Sequence, residues 1–411
     1  MIEALGVEEP SGSRLREIRR HLLAGRDALE RMDRNDEVPA GLHEWMWESG
    51  LMTLALPDGD GLPASTASLC DAIEELGHHS GGLALLALAQ ATGTTAILLA
   101  ADEEQRARYT ASIRERHFVA FALSETRAGS DARNLETRIF DRGDHLEVIG
   151  AKWLVTNAWG ADHFVVFGRH VHGGHEIGVS AVVLDRGLPG LLVAAKNDLF
   201  GMRGVPTASV VMKQVRVPRC RLLGRAGEGF SLAMRTLDRS RPLVGAQAVG
   251  LARAALEQAV QHCRRRRAFG GPLASLDGVR LMIADMAVAV ETSRLLVRRA
   301  AEVVDTGRRE ATALAAAAKL HATDAAVRVA LDAIQLLGGY GCFRGRAPER
   351  ILRDAKVAQI YEGANQIQRL VVGRHVLDPP QAGAGADDGG SDASSSTHDG
   401  LVPSMDGGND T

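Results

Sequence analysis

A carboxylate beside a glycine, Glu362-Gly363, has the setting in this sequence that best suits acid–base chemistry. Apolar residues at helical spacing precede the pair, and the spacing resumes afterwards at Ile367 and Leu370. Because glycine lets a chain leave a helix, the glutamate is predicted to lie in a turn between two helices. Its neighbours are aromatic or small, and no basic residue lies within three positions. Taken alone, the pattern is more typical of a solvated helix end.

A second stretch with the character of a binding site covers residues 121–131. A β-rich run ends there, and the chain turns through small residues, so a ligand could lie close to the backbone beside the hydroxyls of Ser124 and Ser130. An ordinary turn at a strand end is the commoner meaning of such a pattern. Four consecutive arginines at 264–267 likewise favour, by themselves, a solvated helix face.

Composition excludes several classes of partner. The 411 residues carry a net charge of −3 with a pI near 6.5, which argues against a nucleic acid or a membrane surface as the main partner. The four cysteines are scattered and show no zinc spacing, so we expect a reducing, cytoplasmic compartment. The histidines of the glycine-rich 170–175 stretch do not have the spacing of a metal site, and no metal is expected. Residues 1–10 contain no apolar core, so no signal peptide is expected.

Hydrophobic periodicity predicts an α+β protein of several domains. Residues 13–115 have helical spacing, and the apolar stretch 83–101 is interrupted by polar residues, which predicts a buried helix and no integral membrane segment. Short β-rich runs between turn signals in 116–225 predict an antiparallel barrel or sandwich. Alanine-rich helical segments in 226–377 predict a four-helix bundle. Residues 378–411 are rich in Gly, Ser and Asp, and we expect a disordered acidic tail.

Several ordered motifs resemble the acyl-CoA dehydrogenase family. They occupy residues 121–131, 152–157, 201–207, 237–241, 264–270, 335–341, 353–356 and 360–363, and the resemblance extends over about 15–377. The helical, β and helical layout is also that of the family. The resemblance implies an FAD-dependent enzyme that desaturates an acyl thioester between its α- and β-carbons.

The resemblance also implies where the cofactor binds. The expected contacts with FAD within one subunit are Phe121, Leu123, Ser124, Gly129, Ser130, Val155, Thr156 and Gln366. The expected contacts with the FAD of a neighbouring subunit are Arg266, Phe269, Gln335 and Gly339. A planar guanidinium suits a diphosphate, so Arg266 leaves the solvated-face interpretation that the other three arginines keep. At least a homodimer is therefore expected, and more often a homotetramer.

The substrate contacts and the base follow from the same resemblance. Ser130 matches a contact with the pantetheine arm, Asp238 and Arg241 match residues that hold CoA, and Gly363 matches a substrate contact. Glu362 matches the base that removes the α-proton. Burial is expected to raise its pKa, and its backbone N–H is expected to help a ribityl hydroxyl of FAD stabilise the enolate while hydride passes to flavin N5.

Departures from the family pattern are few. Some members carry the catalytic glutamate on an earlier helix, but Ser240 stands at that position here, so Glu362 has no visible competitor. Arg127 adds a charge to the cofactor loop, and Leu154 replaces an aromatic that often packs on the flavin. Ala364 replaces a threonine beside the base, and Asp277 replaces a glutamine at the subunit contact.

An electron-transferring flavoprotein is the acceptor that the resemblance implies.

Other interpretations of the chain stay open. The acyl chain could be carried by a carrier protein instead of CoA, as in natural-product pathways. Glu362 argues against a flavin monooxygenase of the same superfamily, whose members generally lack the base. A non-catalytic subunit that binds a thioester is the last alternative.

Overall fold

The computed structural model describes residues 13–57 and 65–378. The expected acidic tail therefore lies, apart from Asp378, outside the described residues. Helices form both ends of the described chain, and a β-sheet lies between them. The architecture is thus helical, then β, then helical, as predicted.

The described residues of the first part contain six α-helices. They are α1 (Ser13–Ala24), α2 (Arg26–Asn35), α3 (Ala40–Glu48), α4 (Thr66–His79), α5 (Gly81–Ala100) and α6 (Glu103–Arg114). The Ser80 hydroxyl accepts from the amide of Leu83 and caps α5, while Asp102 and Gln105 form a capping box at the start of α6. Within the described residues, α5 alone is long and apolar enough to cross a membrane, but sixteen of its twenty residues are buried. It packs against α4, β1 and a long helix of the third part, and is a core helix.

The middle part is one eight-stranded sheet. Its strands are β1 (Phe118–Ala122), β2 (Arg138–Asp141), β3 (His145–Val155), β4 (Ala161–His172), β5 (His175–Asp185), β6 (Leu191–Lys196), β7 (Ala208–Pro218) and β8 (Leu222–Leu223). The order is β6-β7-β3-β2-β4-β5-β8, and β1 also pairs with β4. Most pairings are antiparallel, as predicted, but β1 and β2 both run parallel to β4. Within the described residues the end strands β6 and β8 do not pair, so the sheet is open and not a closed barrel.

The two parallel pairings have a common cause. β1 ends at Ala122 opposite Val166, and β2 begins at Arg138 opposite Arg169, so both strands lie in succession along one edge of β4. Residues 123–137 leave this line and return to it, and we call them the excursion loop. Two strands that lie along the same edge of β4 and run in the same direction need a long connection between them. The sequence pattern predicts antiparallel neighbours, and it therefore misses these two pairings.

The last part contains five helices. They are α7 (Gly229–Arg265), α8 (Asp277–Asp305), α9 (Ala311–Leu337), α10 (Ala347–Ala358) and α11 (Asn365–Leu377), with a small hairpin of β9 (Arg267–Ala268) and β10 (Gly271–Pro272) after α7. α7 packs most extensively against α9 and α4. A side chain at Gly250 would collide with the backbone of α4 at Glu74. This glycine therefore sets the close crossing of the first and third parts.

A buried ion pair closes the base of the excursion loop. The Lys152 ammonium, which is fully buried, lies 2.5 Å from Glu125 Oε1 and 3.0 Å from the carbonyl oxygen of Leu123. The Glu125 carboxylate also accepts the amides of Glu136 and Thr137, at the other end of the loop. Burial tends to raise the pKa of Glu125, but the Lys152 charge and these hydrogen bonds outweigh it and the pKa is lowered. One carboxylate thus ties both ends of the loop to β3.

Lys152→Met should destabilise the protein by about 3–5 kcal/mol, because it leaves the Glu125 carboxylate buried without a cation. Replacing both partners, Lys152→Met with Glu125→Gln, should recover part of that loss. Urea unfolding measures both, with Lys213→Met on the exposed side of β7 as the matched control. A single variant as stable as the control would show that the pair does not hold the loop.

Candidate active site

A cavity of about 650 Å³ lies where the three parts meet, and we call it the central cavity. Its wall is built by α5, the excursion loop, the end of β3, the first half of α7 and the turn between α10 and α11. The predicted site residues on this wall are Phe121, Leu123, Ser124, Gly129, Ser130, Val155, Thr156, Arg241, Glu362 and Gly363. The fold therefore brings together residues that lie up to 242 positions apart in the sequence.

Glu362 occupies the turn between α10 and α11 in a left-handed backbone conformation, with φ of 54°. Its Oε2 accepts a hydrogen bond of 2.9 Å from the Ser240 hydroxyl of α7. Burial raises the pKa of Glu362, and the Ser240 hydrogen bond and the charges of Arg241 and Lys319 oppose that rise. A carboxyl whose pKa is raised towards neutrality is a stronger base when ionised.

The position after Glu362 requires glycine. Gly363 has φ of 92°, and a Cβ at this position would lie 2.3 Å from Gln368 Nε2. That side-chain amide donates to the Gly363 carbonyl oxygen at 2.9 Å. Within the described chain, the backbone amides of Glu362 and Gly363 donate no hydrogen bond. Two N–H donors beside the carboxylate are thus available to a ligand.

Gln366, which is predicted to contact FAD, and the nearby Gln368 lie on different faces of α11. Gln366 is exposed and does not line the central cavity, whereas Gln368 is fully buried beneath the Glu362-Gly363 turn. Two residues that are two positions apart in a helix point to different faces. The apolar residues Ile367 and Leu370 mark the face of α11 that lines the central cavity. They do not indicate which side chain of α11 lies beneath the turn.

Asp238 supports Arg241 and does not itself line the central cavity. Its Oδ1 lies 2.5 Å from Arg241 Nη1, and its Oδ2 accepts from the Thr312 hydroxyl at 2.6 Å. Arg241 does line the cavity, and its buried Nε has no hydrogen-bond partner among the described residues. The ion pair with Asp238 thus holds the Arg241 guanidinium at the cavity wall.

The end of β3 carries an aromatic residue one position earlier than the family pattern. Leu154 has φ of 54°, and the register with β7 shifts between Lys152 and Val155, which marks a β-bulge. Trp153 and Leu154 both line the central cavity. An indole ring is thus present on the wall although the family position holds leucine.

The remaining departures lie off the cavity wall. Arg127 is 80% exposed and pairs with Glu136, so its charge faces solvent. Ala364 is the N-cap residue of α11, and no side chain caps that helix end in the described structure. Asp277 is the exposed first residue of α8 and pairs with Arg280.

Two of the four residues assigned to a neighbouring subunit line a cavity of their own. Arg266 and Gly339 line a second cavity of about 610 Å³ together with His262 and Tyr340. Gln335 is exposed on α9, and Phe269 is 90% exposed on the β9–β10 hairpin. The two cavities share no lining residue, so one chain does not bring Arg266 and Gly339 to Glu362. Among the described residues, no three His, Cys, Asp or Glu side chains are grouped to hold a metal ion.

Comparisons with known proteins agree with this architecture. The N-terminal, middle and C-terminal domain models of acyl-CoA dehydrogenase match residues 15–115, 120–215 and 227–377. A cyclohexane-1-carbonyl-CoA dehydrogenase of Geobacter metallireducens is 38% identical over 85% of this chain and 92% of its own length.

Solved structures superpose equally well. Butyryl-CoA dehydrogenase of Megasphaera elsdenii matches with a TM-score of 0.83 and 30% identity, over 90% of this chain and all of that one. A chain from a structural study of the electron transferring flavoprotein of Acidaminococcus fermentans matches with a TM-score of 0.83 and 33% identity, over the same shares. Three matching domains in order, together with relatives of this similarity over most of the chain, show that it belongs to the acyl-CoA dehydrogenase family.

Proposed function

We propose that this protein catalyses FAD-dependent α,β-dehydrogenation of an acyl-CoA, with Glu362 as the base that removes the α-proton. The observation that carries the proposal is the position of the Glu362 carboxylate on the wall of the central cavity, opposite the excursion loop. The carboxylate has a hydroxyl donor, a raised pKa and two free amides beside it. A solvated helix end has none of these features.

The central cavity suits a flavin. Phe121, Leu123 and Val155 provide apolar surface, and the hydroxyls of Ser124, Ser130 and Thr156 provide donors and acceptors on the same wall. A Cβ at Gly129 would meet nothing within 4 Å, so the loop backbone is open to a ligand. FAD held by these residues would supply the oxidant, because its flavin can take up the β-hydrogen of the substrate as hydride.

The protein's own part in the reaction is to move a proton and hold a charge. The α-proton of a thioester is a weak acid, so a carboxylate base needs help from donors aimed at the carbonyl oxygen. The free amide of Glu362 is such a donor, and it is fixed to the base itself. The hydrogen bond from Ser240 fixes the orientation of the Glu362 carboxylate. The α-proton therefore moves to a base that is already in position.

Arg241 is the residue that we assign to the CoA moiety, with Asp238 as its support. The unpaired Nε of Arg241 is buried on the cavity wall, and burial strengthens its interaction with a polar ligand. Ser130 lies on the same wall and is assigned to the pantetheine arm. The acyl end is bounded by Leu85 and Leu88 of α5 and by Tyr361, whose hydroxyl donates to Gln247.

CoA is favoured over a carrier protein as the acyl carrier. The Geobacter and Megasphaera relatives are both named for CoA thioesters.

We further propose an electron-transferring flavoprotein as the acceptor, which is the assignment that the family motifs imply. All four cysteines are free, which fits the reducing, cytoplasmic compartment that we assign.

Two features support an assembly of at least two subunits. The second cavity carries Arg266, but no residue of the central cavity, so a second copy is needed to join them. The exposed face of α8 presents Leu281, Val288 and Leu295 at seven-residue spacing, and their exposed fractions are 68, 61 and 58%. An apolar stripe of this kind marks a surface that another chain covers.

Glu362→Gln tests the base directly. The amide cannot accept the α-proton, so anaerobic bleaching of the flavin by an acyl-CoA should slow by at least about 10³-fold. FAD content and melting temperature should stay near those of the parent protein. The exposed Glu104→Gln on α6 is the matched control and should bleach at the parent rate.

The thioester panel should run from short to long chains, on CoA and on a carrier protein. A Glu362→Gln variant that keeps most of its bleaching would contradict the assignment of the base. Faster bleaching by carrier-protein thioesters than by CoA thioesters would replace the substrate class. A colourless parent protein that binds thioesters would favour the non-catalytic alternative.

The subunit assignment has its own test. Size-exclusion chromatography with light scattering should give a mass of two or four chains for the flavin-loaded protein. Arg266→Ala should lower the amount of FAD retained through loss of a charge-assisted contact, whereas Arg264→Ala, which lines neither cavity, should not. A monomer that carries its full complement of FAD would contradict the assembly.

A further inference from the structure

One buried cation near the candidate base has no assigned role. Lys319 lies on α9, is fully buried, and donates to the Gly363 carbonyl oxygen at 2.9 Å and to Asn365 Oδ1 at 2.7 Å. Within the described chain, no carboxylate lies within 4.0 Å of its ammonium. A buried lysine without a carboxylate partner is costly, so its position calls for a compensating role.

The two acceptors of Lys319 stand on either side of the connection into α11. Gly363 directly follows Glu362, and Asn365 is the first residue of α11. The Asn365 side-chain amide in turn donates to Thr323 Oγ1 and Asp324 Oδ1, both on α9. The turn that carries the base is therefore fastened to α9 at two points, and Lys319 takes part in both.

The turn needs this fastening because its backbone is strained. A residue other than glycine in the left-handed region costs about 1–2 kcal/mol, and Glu362 has φ of 54°. The N-cap residue of α11, Ala364, has no hydroxyl to stabilise the helix end. In this chain the hydrogen bonds from Lys319 and Gln368 to the Gly363 carbonyl oxygen fix the backbone just before α11, where a side-chain cap is missing.

Charges from each side act on the Lys319 ammonium. α7 contributes Arg241, whose Asp238 partner neutralises part of its charge, and the turn contributes Glu362. α9 itself contributes Asp324, which is shared with Arg369 of α11. Burial lowers the pKa of Lys319 to about 7, the charge of Glu362 raises it, and Arg241 lowers it. Lys319 and Glu362 thus influence each other's ionisation.

We propose that Lys319 is the positioning residue of the base: its ammonium fixes the Glu362-Gly363 turn against α9, and its positive charge beside that turn favours the ionised form of the Glu362 carboxylate. This inference depends on the proposed function, because it assigns Lys319 a role only if Glu362 acts as the base. Lys319 does not touch substrate or cofactor in this assignment, since it does not line the central cavity. It acts through the Gly363 carbonyl oxygen and the Asn365 side chain, which both follow Glu362 in the chain.

The test is the pH dependence of anaerobic flavin bleaching by an acyl-CoA in the flavin-loaded protein. Bleaching requires ionised Glu362, so its rate falls as the pH drops below the pKa of that group. Lys319→Met removes a nearby positive charge, so this acid limb should move to higher pH by about one unit. The rate above the limb should fall about tenfold through loss of position. The half-saturating thioester concentration should change little.

Two further variants separate charge from fastening. Lys319→Gln is neutral but keeps an N–H donor for Gly363, so its limb should move as in Lys319→Met while its rate above the limb falls less. This variant also serves if Lys319→Met does not fold. Lys356→Met, on the exposed side of α10, is the matched control and should leave both limb and rate unchanged.

An acid limb that stays in place in both Lys319 variants would overturn the inference, even if the rate or the melting temperature falls, because a merely structural lysine would do only that. Failure of the proposed function looks different. In that case the parent protein itself either is not bleached by any thioester or is bleached as fast after Glu362→Gln.

Discussion

The position of one carboxylate depends on a turn that would not form by itself. Glu362 adopts a left-handed conformation, Gly363 follows it in another, and Ala364 provides no cap for the helix beyond. Helices α7, α9 and α11 hold this turn by hydrogen bonds from Ser240, Lys319 and Gln368. Without those contacts the strain would relax, and the carboxylate would leave the cavity wall.

The opposite wall rests on a second balance of burial and charge. The excursion loop spans residues 123–137, and Ala128 and Leu135 pack in the core. Its ends are joined because the Glu125 carboxylate binds the Lys152 ammonium and two backbone amides in a buried site. Burial acts to neutralise both groups, and mutual attraction keeps them charged. Two polar clusters thus support the central cavity. The cluster of Glu125 and Lys152 shapes the excursion loop, and the cluster around Glu362 holds the turn that carries the proposed base.

Helical and β segments follow from periodicity because each part has its own repeat of apolar residues. The motifs at 121–131, 237–241 and 360–363 could be assigned to one site from the family resemblance, and the fold does bring them to one cavity. The parallel pairings of β1 and β2 with β4 could not be predicted, since a broken strand looks like two independent strands in the sequence.

Several contacts within the site were also beyond prediction. Ser240 is visible in the sequence only as an absent glutamate, yet it donates to the base. Gln368, for which the sequence predicts no role, supports the turn, because the rotation of α11 about its axis decides which side chain reaches it. Lys319 lies 43 positions before Glu362 and in an alanine-rich helix, where nothing local distinguishes it from a solvated lysine. Each of these contacts joins helices whose relative placement only the folded chain defines.

We expect dehydrogenation to begin with removal of the α-proton by Glu362. Stopped-flow bleaching of the flavin by an acyl-CoA carrying deuterium at the α-carbon, compared with the unlabelled thioester at a pH above the acid limb, tests it most directly. If Glu362 removes the α-proton, α-deuterium should slow bleaching severalfold, and one enoyl thioester should form for each flavin bleached. Bleaching at the same rate with both thioesters, or without enoyl product, would contradict it.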